Sequence, residues 1–243
     1  MGLPSNPANG GMDSLAAKRE RIQRKGRIRE VVFGMQDGLI TTVGFVAGLH
    51  GATADNTLVL LGGFVELLAG AFSMAAGGYL STKAEREVLE REVLEERRRF
   101  QEEPYLAHDD LRKALEEEGL SKERAYRIVK LLQEGEEAFF KTFQEKVLGL
   151  GDTEIRQPLI DALVLGLSFA VGAFIPLLPY LLFSEFTSLW VAVVLSGLSL
   201  FGVGAAKAYL AEKRFFRSGL EFFAIAMGAA AVGYLFGLLL PGR

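Results

Sequence analysis

Two carboxylates stand inside stretches that are otherwise apolar, Asp37 within residues 31–51 and Glu66 within residues 57–82. A charge at the centre of a membrane-spanning helix costs roughly 2.5–3.5 kcal/mol on insertion scales, so two of them call for a use. Asp37, Thr41, Gly44 and Gly48 recur at i, i+4, i+7 and i+11, and Glu66, Gly70, Ser73 and Gly77 repeat that spacing. On a helix each set shares one face, so each carboxylate heads a stripe of small and polar residues. Met74, four residues after Gly70, flanks the second stripe and offers a thioether. Carboxylate oxygens beside one soft sulfur suit a divalent metal ion, and carboxylates alone can carry protons. The plainer alternative makes Gly34-xxx-Gly38 and Gly44-xxx-Gly48 close-packing motifs, with both carboxylates neutral and hydrogen-bonded inside a bundle. Packing accounts for the glycines, but it does not require the carboxylates.

The elements that position these residues follow from the segregation of charge. Half of the 243 residues are hydrophobic, yet the chain holds 27 Lys+Arg and 30 Asp+Glu. Residues 83–157 carry 15 of the former and 20 of the latter. An ordinary globular enzyme, a disordered chain and a disulfide scaffold are all excluded, the last because Cys is absent. Five segments are long and apolar enough to span a bilayer core of roughly 30 Å: 31–51, 57–82, 158–183, 187–210 and 219–240. The fold class is therefore all-α, a polytopic membrane protein with five transmembrane helices and a charged helical domain between spans two and three. Domains are expected at 1–30 (a flexible basic segment with no apolar signal core), 31–82 (spans one and two), 83–157 (the charged domain) and 158–243 (spans three to five). Seven Lys and Arg between Lys18 and Arg29 precede span one, none lies in the loop after it, and Lys213, Arg214 and Arg217 lie between spans four and five. The positive-inside rule then puts the N-terminus and the charged domain in the cytoplasm and the C-terminus on the opposite side, in the cell inner membrane. Trp190, Tyr180 and Tyr209 mark span ends, and Asp161 and Glu221 are read as interfacial.

Span two has no breaker before Pro104, so its helix is expected to continue out of the membrane to Glu103. Three shorter helices should follow: one capped by Asp109 or Asp110 and closed by Gly119, one capped by Ser121 and closed by Gly135, and one over residues 136–148. Val129, Leu132, Phe139, Phe140, Phe143 and Val147 give them a core. Glu85, Glu92, Glu96 and Glu103 share one face of the first helix, where oxygens could hold a hard divalent ion. The bland alternative is a solvated helix laced by pairs such as Glu87 with Arg91 and Glu95 with Arg99. His108, beside Asp109 and Asp110, and His50 are candidate ligands, but a lone histidine is more often no ligand at all.

At Asp37-Gly38-Leu39 through Phe45-Val46-Ala47-Gly48-Leu49, at Glu66 through Gly70-Ala71-Phe72-Ser73-Met74 to Gly77-Gly78-Tyr79-Leu80, and at Gly172-Ala173-Phe174-Ile175-Pro176-Leu177-Leu178-Pro179-Tyr180, the chain resembles the vacuolar iron transporter family in a bacterial-like form. The resemblance implies a homodimer of five-span chains that exports Fe2+, with Mn2+ as a second candidate ion, from the cytoplasm in exchange for protons, with no prosthetic group. Asp37, Glu66 and Met74 fall on positions that the family's motif gives to the translocation path. The charged domain resembles the family's metal-binding helical domain, and a site there would draw on Glu92, Glu96, Glu103 and Asp110. The match is partial: Arg99 and Ala107 fall where glutamates are expected, and Phe143, Gln144 and Val147 where a Met pair and a Glu are expected. Thr42 stands where plant-type members carry a helix-bending Pro.

A membrane-embedded enzyme would want Ser/His, HExxH or paired-Asp constellations, and with two histidines in separate regions and no Cys the catalytic menu is nearly empty. A membrane-anchored metal sensor or buffer without transport is the alternative; it leaves Asp37 and Glu66 without a role. Nucleic acid is not a partner, since the charged domain is net negative; the basic N-terminal stretch suits anionic lipid.

Overall fold

The computed structural model describes residues 27–53, 55–150, 157–183, 185–210 and 214–239. Most of the basic run before span one lies outside them, as does Lys213. Among the described residues eight helices follow in order: α1 (Ile28–Ala52), α2 (Asn56–Glu102), α3 (Pro104–Glu117), α4 (Lys122–Leu132), α5 (Glu136–Lys146), α6 (Pro158–Leu182), α7 (Glu185–Leu210) and α8 (Phe215–Leu239). There is no strand among the described residues. The chain divides into two compact units, the first made of Met1–Leu80 with Pro158–Arg243 and the second of Ser81–Gln157.

Among the described residues five helices, α1, α2, α6, α7 and α8, are long and apolar enough to cross a membrane. Leu61, Leu68, Phe72, Leu167, Leu198 and Val232 are each at least 60% exposed on their outer faces. So much apolar surface is at home in lipid and not in water, and the chain is a multi-pass membrane protein. Helix α8 begins at Phe215, four residues before the sequence pattern placed span five, and Arg217 lies 3.5 Å from Glu221 on its first two turns. Asp161, in the first turn of α6, is buried and lies 3.6 Å from Arg27, the residue before α1.

Helix α1 is the axis of the first unit, because glycines let two other helices reach its backbone. A Cβ on Gly34 would stand 2.6 Å from the Leu165 carbonyl oxygen, and one on Gly38 would stand 2.8 Å from the Ala173 nitrogen, both on α6. Further along, Gly44, Gly48 and Gly51 meet Ala229, Gly233 and Tyr234 of α8. Small-residue contacts of this kind bring helices together by dispersion where lipid removes the hydrophobic drive. The far half of the Asp37 stripe is therefore packing surface. Helix α2 runs antiparallel to α6: Asn56 bonds the Phe183 carbonyl, Gly63 meets Leu177, Gly70 meets the Phe169 ring and Gly78 meets Leu165.

The second unit has its own core, with Ala107, Leu111 and Leu115 of α3, Ala125 and Val129 of α4, and Phe139 and Phe143 of α5. Phe100 stacks on Phe139 at 5.1 Å between ring centroids, and Arg97 covers the Phe140 ring. Asp109 and Asp110 do not cap the helix. Pro104 starts it instead, since a proline at the first helical position forgoes an N–H that has no partner there. Gly119 and Gly149 take positive φ, +100° and +70°, at the chain turns after α3 and α5. The ion pairs that lace α2 run with the base first, Arg86 to Glu90, Arg91 to Glu95 and Arg98 to Glu102, and so differ in register from the expected Glu87–Arg91 and Glu95–Arg99.

The contact pattern makes a contrast testable. Gly38→Leu should lower the thermal midpoint of the purified protein in detergent by several degrees or abolish its monodisperse elution, because the α6 backbone cannot retreat. Gly202→Ala, where an added Cβ meets nothing within 4 Å, should leave the midpoint unchanged or raise it slightly.

Candidate metal site

Helices α1 and α2 pack antiparallel in a register set by their small residues, with Gly62 against Leu49 and Gly63 against Val46. One turn further on, the fully buried Thr42 faces Glu66, and its Oγ1 donates to Oε2 at 2.7 Å. The same register brings Asp37 level with the turn of α2 that carries Gly70 and Met74. Asp37 and Glu66 are both half-buried. Thr41 folds its hydroxyl back onto the Asp37 backbone carbonyl, so it makes no claim on the Asp37 carboxylate. Glu66 Oε1 lies over Gly70, 3.4 Å from where a Cβ would stand, and the Phe169 ring edge closes that side at 2.5 Å from the same point. Met74 is half-buried against the cluster that contains Val46 and Phe169. One unshared carboxylate, one free carboxylate oxygen and a nearby thioether thus lie along facing turns of two membrane helices, a donor set that one divalent ion or a pair of protons can satisfy.

Thr42 was visible in the sequence only as a departure from a family pattern, and its partner follows from helix register. At the other end of these helices the structure adds a polar knot. Asn56 donates to the Phe183 carbonyl and to Ser188 Oγ at 3.2 and 3.1 Å, and Ser188 Oγ donates to the same carbonyl at 2.9 Å. His50 meets Tyr180 edge-on at 6.0 Å between ring centroids.

The charged unit arranges its candidates differently. Glu92 and Glu103 are exposed, Glu96 lies 3.7 Å from Arg99, and Asp110 lies 3.9 Å from Lys113. Among the described residues no group of three or more His, Asp or Glu is placed to hold a metal ion. Phe143 is a core residue, 2% exposed. His108 is a core-edge residue too. It packs edge-on against Phe139 at 5.0 Å between ring centroids, and its Nδ1 lies 2.8 Å from Gln133 Nε2.

A polytopic all-α membrane protein with a carboxylate pair between its first two spans is the class that this geometry defines. The VIT family model matches residues 28–238, and the chain belongs to that family. It is 31% identical to Vacuolar iron transporter 1 of Arabidopsis thaliana, over 85% of this chain and 83% of that protein. It is 30% identical to Vacuolar iron transporter 1 of Eucalyptus grandis, over 87% and 84%. With Protein CCC1 of Saccharomyces cerevisiae it shares 32%, over 75% and 58%.

Burial holds the His108 imidazole below its ordinary value of 6.5. The folded unit keeps the ring neutral at a pH where the unfolded chain has taken a proton, so this contribution to stability is full above about pH 6.5 and falls as acid is added. Asp109 beside it does not titrate in that window, being held low by Lys113 and Arg112. Amide exchange of residues 81–157 in the whole protein, corrected for intrinsic rate, should show weaker protection at pH 5.5 than at pH 7.5. His108→Phe should flatten the difference.

Proposed function

We propose that this chain is an iron transporter that moves Fe2+, with Mn2+ as a second substrate, out of the cytoplasm in exchange for protons, and that it works as a homodimer. The placement of Asp37 and Glu66 on facing stretches of spans one and two carries the reading. Two carboxylates in a medium of low dielectric constant are neutralised by one divalent cation or by protons, and the two loads exclude each other. A site that must hold one or the other is the elementary requirement of metal–proton exchange. Asp37 and Glu66 supply the charge, and Met74 supplies a sulfur that prefers Fe2+ to Mg2+. Membership of the VIT family and the names of the relatives support iron as the substrate.

Residues 83–157 form a cytoplasmic domain inserted between spans two and three, with residues 1–30 on the same side and the C-terminus on the other, in the cell inner membrane. The count of basic residues in the connecting segments supports this orientation. The domain acts as an acidic collector, with Glu92, Glu96, Glu103 and Asp110 raising the local concentration of cations. A sensor or buffer without transport would need a tight site in this domain, and the scattered, paired carboxylates argue against one.

Uptake of Fe2+ or Mn2+ into proteoliposomes with an imposed pH gradient tests the proposal. Asp37→Asn and Glu66→Gln should each abolish flux while leaving expression and elution intact; wild-type flux from both would make the carboxylates structural. Joining residue 84 to residue 150 should raise the half-saturating metal concentration more than it lowers the maximal rate, and the effect should shrink in high salt. Calorimetry on the whole protein of Asp37→Asn should find only weak binding with little preference between Fe2+ and Mn2+.

A further inference from the structure

Glu66 has two carboxylate oxygens, and the fold has already engaged one of them. A threonine inside a helix ordinarily turns its hydroxyl to the carbonyl four residues back, as Thr41 does to Asp37. Thr42, its neighbour, spends its one hydrogen across the helix interface on Oε2 at 2.7 Å. Thr42 has no exposed surface, and a β-branched side chain in a helix has few rotamers to escape to. On the other side the Phe169 ring edge stands against Gly70, beneath Oε1. The carboxylate is thus clamped in one rotation, with Oε2 engaged and Oε1 available.

We propose that Thr42 is a selectivity residue: by occupying Oε2 it makes Glu66 a one-oxygen ligand, and so disfavours Ca2+ against Fe2+ and Mn2+. The inference rests on Glu66 being a ligand of the transported ion, as proposed above. Ca2+ gathers about six to eight oxygens and commonly takes a carboxylate through both of them. A transition-metal ion with a smaller shell loses less when one oxygen is withheld, and the nearby thioether does nothing for Ca2+. Size and charge alone would leave a pair of carboxylates poorly selective. A clamp on one oxygen supplies the discrimination without adding a ligand.

The test is Mn2+ uptake into proteoliposomes with Ca2+ as competitor, comparing wild type, Thr42→Val, Thr42→Ser and Glu66→Gln in the full chain. Thr42→Val keeps the volume and removes the donor; with Oε2 freed, the Ca2+ concentration for half-inhibition should fall about tenfold, the scale of a lost hydrogen bond to a charged group. The half-saturating Mn2+ concentration should change far less. Thr42→Ser restores the donor and should return Ca2+ inhibition to the wild-type value, and Thr42→Ala substitutes for Thr42→Val if the latter does not elute as a folded protein. Equal Ca2+ inhibition in wild type and Thr42→Val, with Glu66→Gln inactive, would overturn the selectivity role alone. Normal flux from Glu66→Gln would overturn the reading of the pathway beneath it.

Discussion

A carboxylate in an apolar bundle has to recover from its neighbours what it loses in hydration, and this constraint orders the first unit. Neighbours within hydrogen-bond reach require helices closer than leucine-lined faces allow. Glycine supplies the approach: Gly34 and Gly38 bring α1 onto the backbone of α6, Gly44 and Gly48 bring it onto α8, and Gly62 and Gly63 let α2 slide against Leu49 and Val46. Only in that register does the Thr42 hydroxyl arrive at Glu66. The stripes of small residues and the intramembrane acids are therefore one device, in which packing delivers the partner that makes an acid tolerable.

The five spans were legible because length and hydropathy are local properties of a segment, and the break at Pro104 because a ring without an N–H is a local fact. What lay between helices was not. Asp161 reads from the sequence as a charge near the end of a span, and its pairing with Arg27, which precedes another helix, depends on how the helices meet. The stripe that begins at Asp37 divides by neighbour, its far glycines against α8 and its near residues beside α2. Thr41 and Thr42 are indistinguishable as letters; their hydroxyls part company because one has a polar partner across the interface and the other does not. A side chain with a single donor reveals its role only when both helices are in place.

Asp109 and Asp110 show the same limit from the other side. As good capping residues they suggested a helix start, but Pro104 is earlier, and a helix begun there absorbs them into its second turn. Having no cap to make, they pair with Lys113 and Arg112. Three acids of α2 behave likewise: Glu90, Glu95 and Glu102 are each taken by an arginine four residues before them, so in these pairs the base precedes the acid. That order is the less favourable one against the helix dipole, which leaves the pairs weak and exchangeable.

Weak pairs bear on what the charged unit can do. A tight metal site needs carboxylates whose competing partners have been removed and whose positions are fixed by packing, and here the packing has been given to rings. Phe100, Phe139, Phe140 and Phe143 stack through the centre, His108 closes the edge, and no sulfur stands among them. The acids are left outside with arginines and lysines for company. Among the described residues an ion near this surface meets exposed carboxylates, several of them paired with a base, and finds no cage. Such a surface can concentrate cations without holding them, and in the pathway proposed above the step that discriminates among ions falls where the oxygens are few and fixed, between Thr42 and Gly70.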